Sequence, residues 1–190
     1  MNSKTVDYSR TTITELMIPS YANFGGKIHG GILLSLMDKV AYACASKHAG
    51  TYVVTVSVDE VNFMQPIEVG ELVSLHASVN YVGTTSLVVG IRVISENVKT
   101  GEQKHTNTSY FTMVAKDDLG KPQRVPELVL QNEDDIRRCL EAIKRKQMKK
   151  SYLEEFGSQK EQLSHENSLD ILKDERVIIV DWTPLVSSKK

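Results

Sequence analysis

From Gly31 to Ser46 the chain reads "GILLSLMDKVAYACAS". Apolar residues at positions 33, 36, 37, 40, 41 and 44 follow helical spacing. Ile32, Leu34, Tyr42 and Ala45 fill much of the remaining circumference. The pattern predicts a helix that is apolar on nearly every side and therefore central, not a surface helix. The short side chains of Ala41, Ala43, Cys44 and Ala45 would let another backbone come close. Ahead of the helix, "SYANFGGKIHG" (20–30) is small, polar and loop-like, and "TTITELMI" (11–18) reads as a strand stopped by Pro19.

Downstream the period changes from 3.6 to 2. "YVVTVSV" (52–58) alternates through Val54, Val56 and Val58, after which Val61 and Phe63 fall on odd numbers. That shift of parity predicts an extra residue, a β-bulge, near Asp59-Glu60. "PIEVGE" turns the chain, and "LVSLHASVNYV" (72–82) alternates through Val73, Leu75, Ala77, Val79 and Tyr81. After "GTTS" (83–86), a turn or bulge, "LVVGIRVIS" alternates through Leu87, Val89, Ile91 and Val93. "ENVKTGEQ" reads as a hairpin turn, "KHTNTSYFTMVA" (104–115) as a long strand rich in Thr and aromatics, and "DDLGKPQRVP" as the end of the compact part. Short connections make antiparallel neighbours. One sheet must bury one helix, and the economical solution is a curved sheet wrapped around it, an α+β fold.

Beyond residue 130 the character changes. "NEDDIRRCLEAIKRKQMKKSYLEEF" opens with acids and continues with bases, which suits a helix dipole, and Ile136, Leu140 and Ile143 form a thin apolar stripe. The reading is a surface helix docking on the core or on another subunit. Its basic stretch Lys144 to Lys150 is either a solvated face or a local anion contact. Residues 164–190 are polar apart from "RVIIVDW". The division is thus 1–130 for the main domain and 131–190 for a charged C-terminal helix and tail.

Composition narrows the partners. A formal net charge of −1 supplies no global field for nucleic acid or an anionic membrane. The two cysteines, Cys44 and Cys139, make neither a disulfide framework nor a zinc pair, and point to a reducing, cytoplasmic compartment. "MNSKTVDYSRTT" lacks the apolar core of a signal peptide, and no apolar run approaches the roughly 20 residues of a membrane helix.

Against this background Asp38 stands out, a carboxylate two turns into a helix made for burial. Its same-face neighbours are Leu34, Ser35, Ala41 and Tyr42, surroundings that would desolvate it. It is either a catalytic base or nucleophile, or a structural acid paired with Lys39 or a neighbouring subunit. Asn23 is either a loop residue bonding its own backbone or a group that orients a reactant. Gly30 and Gly31 open the helix, where free N–H groups point outward and side-chain-free backbone admits a close ligand. His29 either contacts that ligand or packs. Cys44 reads as helix packing, and His48, His76 and His105 lie on different elements, so no metal-ligand cluster emerges.

Taken as a set, "ANFGGKIHGGILLSLMDKVAYACAS", "VTVSVDEVNFMQPIEVGELV", "YVGTTSLVVGIRV" and "HTNTSYFTMVA" resemble the hotdog-fold acyl-CoA thioesterases, closest to the bacterial and brain-type acyl-CoA hydrolase branch, over about residues 11–127. The resemblance implies a five-stranded antiparallel sheet around a central helix, with sheets joined edge to edge in a dimer and usually a trimer of dimers. It implies hydrolysis of acyl-CoA to free fatty acid and CoA at the dimer interface, with no metal, and with CoA as part of the substrate and not a cofactor. The family's catalytic Asn and Asp fall on Asn23 and Asp38, meeting across the interface. His29, Gly30 and Gly31 then lie at the thioester, with the Gly31 amide as oxyanion donor. Gly83, Thr84, Thr85 and Ser86 lie where relatives contact pantetheine or phosphates. Many relatives carry Arg in place of Thr84, so Lys121, Arg124 or the basic helix would have to compensate. Two alternatives stay open. A hotdog hydratase or dehydratase would pair a His with an acid in a different motif, and an acyl-CoA-binding regulator would bind without turnover. Neither nucleic acid nor membrane is an expected partner.

Overall fold

The computed structural model describes residues 3–162, 172, 175–178 and 180. The tail read above as residues 164–190 lies largely outside the described residues, although four of the seven in "RVIIVDW" are described. In chain order the elements are β1 (Ser3–Thr5), α1 (Val6–Ser9), β2 (Thr11–Leu16), a 3₁₀ turn (Pro19–Tyr21), α2 (Gly30–Ala49), β3 (Tyr52–Val58), β4 (Leu72–Val82), β5 (Ser86–Glu96), β6 (Gln103–Lys116), β7 (Glu127–Val129) and α3 (Glu133–Gln162). Five strands form one antiparallel sheet in the order β2-β4-β5-β6-β3. α2 packs across its inner face, and this curled sheet around a long helix is the hotdog architecture.

The core follows from the two periods. Leu33, Met37, Val40, Ala41 and Cys44 of α2 meet Val73, Leu75, Val89, Ile91, Phe111 and Met113 of the strands, all buried. α2 ends at Gly50, whose left-handed φ of 72° lets its N–H return to Ser46 O at 2.7 Å, a conformation that would strain a larger residue. The chain reverses there directly into β3.

Three expectations need correcting. α2 is not enclosed: its outer strip, Leu34, Ser35, Asp38, Lys39 and Tyr42, is exposed in the protomer. A sheet covers one side of a helix, and apolar residues on the other side need a different cover. The bulge of β3 lies between Thr55 and Ser57, earlier than Asp59-Glu60. The strand stops at Val58, so Val61 and Phe63 belong to an irregular segment whose parity carries no strand information. Further register shifts fall between Val79 and Tyr81 and between Val93 and Ile94. Each extra residue adds local bend and twist, which is how the sheet curls.

Third, "DDLGKPQRVP" does not end the compact part. Val125 and Pro126 are buried, Val125 N–H donates to Thr84 O at 3.0 Å, and β7 pairs in parallel with β1. The buried ring of His48 in α2 bonds Pro126 O through Nε2 at 3.2 Å. Strands of three residues are too short to show a period, so this pairing left no trace in the pattern.

The chain divides into two compact units, Met1–Lys144 and Arg145–Lys190. The first part of α3 belongs to the first unit. It starts on Asn132, whose Oδ1 accepts the Asp135 N–H at 2.9 Å, with Glu133, Asp134 and Asp135 in the first turn. The buried residues here are Asp135 and Ala142, and Arg138 reaches Ser78 Oγ on β4. Of the stripe Ile136, Leu140 and Ile143, the first two are exposed in the protomer and Ile143 is half-buried, so Ile136 and Leu140 do not dock on the protomer's own core. The Asp135 carboxylate accepts bonds from Gln131 N–H and Asn132 Nδ2. In the second unit the bases of α3 are exposed, apart from half-buried Arg145, and Lys150 pairs with Glu154.

Candidate active site

Asp38 sits midway along α2 on the exposed strip, not in a desolvated position within the protomer. Its Oδ1 accepts a hydrogen bond from Thr55 Oγ1 at 2.6 Å, the short distance of a bond to a charged oxygen. Thr55 follows Val53 by two residues, so both point to the helix-facing side of β3. Val53 enters the core, and Thr55, at the bulge, meets the carboxylate on α2. Oδ2 is left without a partner among the described residues. Around this pair lie Leu34, Tyr42, Tyr52, Val56 and Val58, all exposed, with the Tyr42 and Tyr52 rings 6.2 Å apart between centroids. β3 is an edge of the sheet. The carboxylate therefore lies in an apolar, strand-edged surface of the kind that pairs with another chain.

The loop before α2 closes on itself. Ala22 and Ile28 form an isolated bridge, and Asn23 N–H donates to Lys27 O at 2.7 Å. The Asn23 Oδ1 accepts from Gly25 N–H at 2.9 Å and Lys27 N–H at 3.2 Å. Both lone pairs of the amide oxygen are thus engaged, and the exposed Nδ2 is the end that faces outward as a donor. Asn23 and Asp38 share no hydrogen bond within the protomer.

At the start of α2, His29 occupies the N-cap and its Nδ1 accepts the Gly31 N–H at 2.9 Å. With Nδ1 accepting, the neutral ring carries its proton on Nε2. The Gly31 amide, expected as the oxyanion donor, is therefore occupied in this conformation. The Gly30 N–H has no partner among the described residues and belongs to the same turn. A β-carbon at Gly31 would lie 3.0 Å from His29 Nδ1, so the glycine is what permits this cap.

"GTTS" forms the β4–β5 turn. Gly83 N–H returns to Ser86 O at 2.8 Å, Thr85 O accepts from Ala115, and Thr84 O accepts from Val125, which follows exposed Arg124. The helix start lies beside the loop leading into β4, through Ile28 N–H to Ile67 O. "GTTS" follows β4, so the two stand at opposite ends of the sheet within one protomer. Burial pushes the Cys44 thiol up to about 12, and a thiol so held is packing, not a nucleophile. His76 and His105 bond threonines, Thr12 and Thr108. A cavity of ≈ 620 Å³ lies on the sheet face turned away from α2, against α3, with Arg92, Tyr110 and Arg137 in its wall and none of the candidate residues.

Sequence reasoning missed Thr55. In a β-branched run it reads as an ordinary strand former, yet its spacing from Val53 puts a hydroxyl on an inward-facing position, which is the signal that was available.

A curled sheet and a central helix, with a glycine-rich start and a hydrogen-bonded carboxylate midway along it, define a hotdog protein with a candidate catalytic centre. The family profile "Thioesterase superfamily" matches residues 25–102. The protein VdlD of Helicobacter pylori (strain ATCC 700392 / 26695) is 48% identical over 145 residues, covering 76% of this chain and 83% of that one. The uncharacterized acyl-CoA thioester hydrolase YkhA of Bacillus subtilis is 36% identical over 143 residues, covering 75% and 83%. Among solved structures, an apo-hexameric acyl-CoA thioesterase superimposes with a TM-score of 0.78 at 40% identity, covering 80% of this chain and 97% of that one. An acyl-CoA hydrolase from Staphylococcus aureus, in complex with butyryl coenzyme A, coenzyme A and coenzyme A disulfide, gives 0.76 at 31% identity, covering 86% and 99%. The chain belongs to the thioesterase superfamily. Alanine variants of an asparagine, an aspartate and a threonine have been solved for the S. aureus enzyme, and those three residues are spaced as Asn23, Asp38 and Thr55 are here.

Proposed function

We propose that this protein is an acyl-CoA thioester hydrolase with Asp38 as its base or nucleophile, Thr55 as the group that orients Asp38, and Asn23 as a donor to the thioester carbonyl. The observation that carries the reading is the Thr55–Asp38 hydrogen bond on an exposed, strand-edged face. Its threonine and aspartate, with Asn23, share the spacing of the S. aureus variants.

Thr55 ties down Oδ1, which leaves Oδ2 aimed and open. In the base route, Oδ2 takes a proton from water as the water oxygen adds to the thioester carbon. The carbonyl oxygen gains negative charge and is met by the Asn23 amide and the first N–H groups of α2. The tetrahedral species then expels CoA thiolate, which takes the proton from Asp38. In the nucleophilic route Oδ2 attacks the carbon, CoA leaves, and water cleaves the resulting anhydride. Asn23 donates only, since its oxygen is already shared between two backbone N–H groups. For the Gly31 N–H to serve as well, His29 must swing off it, so Gly30 is the donor ready without rearrangement.

Two copies joined at β3 cover the outer strip of α2 and bring Asn23 of one to Asp38 of the other. They also bring the distal turn Gly83–Ser86, with exposed Lys121 and Arg124, toward the CoA end. A trimer of such dimers accords with the hexameric relative. No described helix is long and apolar enough to cross a membrane. With a cytosolic relative in mouse, a cytoplasmic location is the reading we adopt. CoA enters as substrate and leaves as product, with no separate cofactor.

The test is thiol release from acyl-CoA by the purified protein, followed by mixing inactive Asn23→Ala and Asp38→Asn chains. A site needs one group from each subunit, so random exchange should recover about a quarter of wild-type sites in the symmetric dimer. Verified exchange without recovery rejects the shared site, and ester binding without thiol release favours a regulator.

A further inference from the structure

The segment after β3 folds back over the start of α2. Ile28 N–H donates to Ile67 O at 3.0 Å, and Lys27 pairs with Glu68 beside it. The Phe63 ring lies over the helix start, where a β-carbon on Gly30 would come within 3.3 Å of it. Between these parts is a cavity of ≈ 210 Å³ walled by Ile28, Gly30, Leu33, Phe63, Pro66 and Ile67. Ile28, Leu33 and Ile67 are buried, while Phe63 is 49% exposed and stands at the rim. Neither the candidate carboxylate nor the turn at Gly83 lines it.

We propose that this cavity receives the acyl chain, that it suits short and medium linear acyl groups, and that Phe63 sets the length limit. The proposal rests on the hydrolase reading, because only a carbonyl held at the first N–H groups of α2 delivers its chain to this opening. The wall is hydrocarbon apart from Lys27 and Gln65, so it rewards methylenes and offers nothing to a polar chain. A dry apolar cavity of about 150 Å³ holds benzene. By that measure the space here takes roughly eight carbons. A longer chain must push Phe63 aside or run out into water, and either way its further methylenes gain nothing.

The experiment has two arms on the full chain. In the first, S-(2-oxoalkyl)-CoA thioethers from 2-oxopropyl to 2-oxohexadecyl, which keep a carbonyl and cannot be hydrolysed, are titrated calorimetrically. Affinity should climb about fourfold per methylene to about eight carbons and then level. Phe63→Ala should move the plateau to longer chains and Phe63→Trp to shorter ones; both replace a half-exposed side chain and keep the fold. In the second arm, thiol release is measured from acetyl- to palmitoyl-CoA. Wild type should prefer octanoyl over palmitoyl about tenfold in kcat/KM, with the optimum moving in the same direction as each plateau. A ladder that climbs without a break to 2-oxohexadecyl, or one identical in all three proteins, overturns the pocket. A correct ladder without thiol release keeps the pocket and removes the hydrolase. Thiol release with a flat ladder does the reverse.

Discussion

The two faces of α2 both carry apolar residues, and those residues have opposite fates. Leu33, Met37, Val40 and Cys44 are sealed against the sheet, whereas Leu34, Asp38 and Tyr42, on the same turns, are exposed. The inner face repeats because one sheet surface is there to receive it. The outer face carries apolar residues with no cover in its own protomer and, among them, the one carboxylate of the helix. Apolar character on a helix thus has two meanings. On the inner face it specifies the fold, and on the outer face it marks where a second surface is due.

That contrast can be broken by mutation. Asp38→Asn should lower kcat by about 10²–10⁴-fold, the usual worth of a positioned acid–base group, with thermal unfolding nearly unmoved because the side chain lies outside the core of its own protomer and the replacement is nearly isosteric. Steady-state kinetics and Tm on the same preparation check both halves. Met37→Ala, one residue away and fully buried, should do the opposite. It should lose about 2–5 kcal/mol of stability in a denaturant titration while the folded fraction keeps normal kcat. Thr55→Val should cost about ten- to a hundredfold in kcat, as expected for one hydrogen bond to a charged group, with KM little changed.

The smallest effect belongs to a pair on neither face. Glu71 is buried and bonded to Lys104 Nζ at 2.9 Å. Burial alone would raise its carboxyl, but the Lys104 bond and the Glu68 N–H outweigh it and hold the group below the usual range. Its contribution is therefore fully present above the unfolded value of about 4.3 and is lost as pH falls through the lower folded value. Glu71→Gln should lower Tm by a few degrees at pH 7, and the gap from wild type should close below about pH 4.

Period and turn chemistry made the sheet, its antiparallel order and the inner face of α2 legible. What escaped the reading did so for physical reasons. Val61 and Phe63 misplaced the bulge because parity continues past the end of a strand. β1 and β7 are too short to alternate. Ile136 and Leu140 stay exposed in the protomer while Ala142 is buried, because apolar spacing on a thin stripe does not say which side of a helix meets its own core. At the proposed site, Asp38 was conspicuous and Thr55 was hidden among residues of its own kind. The cap of His29 on Gly31 was invisible because histidine is not among the preferred N-cap residues.

The sealed thiol of Cys44 has a practical side. Hydrolysis of a CoA ester is followed with aromatic disulfides that colour on meeting free thiolate. Cys44, fully buried and held to about 12, stays silent in the native chain and answers only once α2 has come away from the sheet. The reagent that reports turnover therefore also reports, as a slow second rise in absorbance, the moment the enzyme begins to fail.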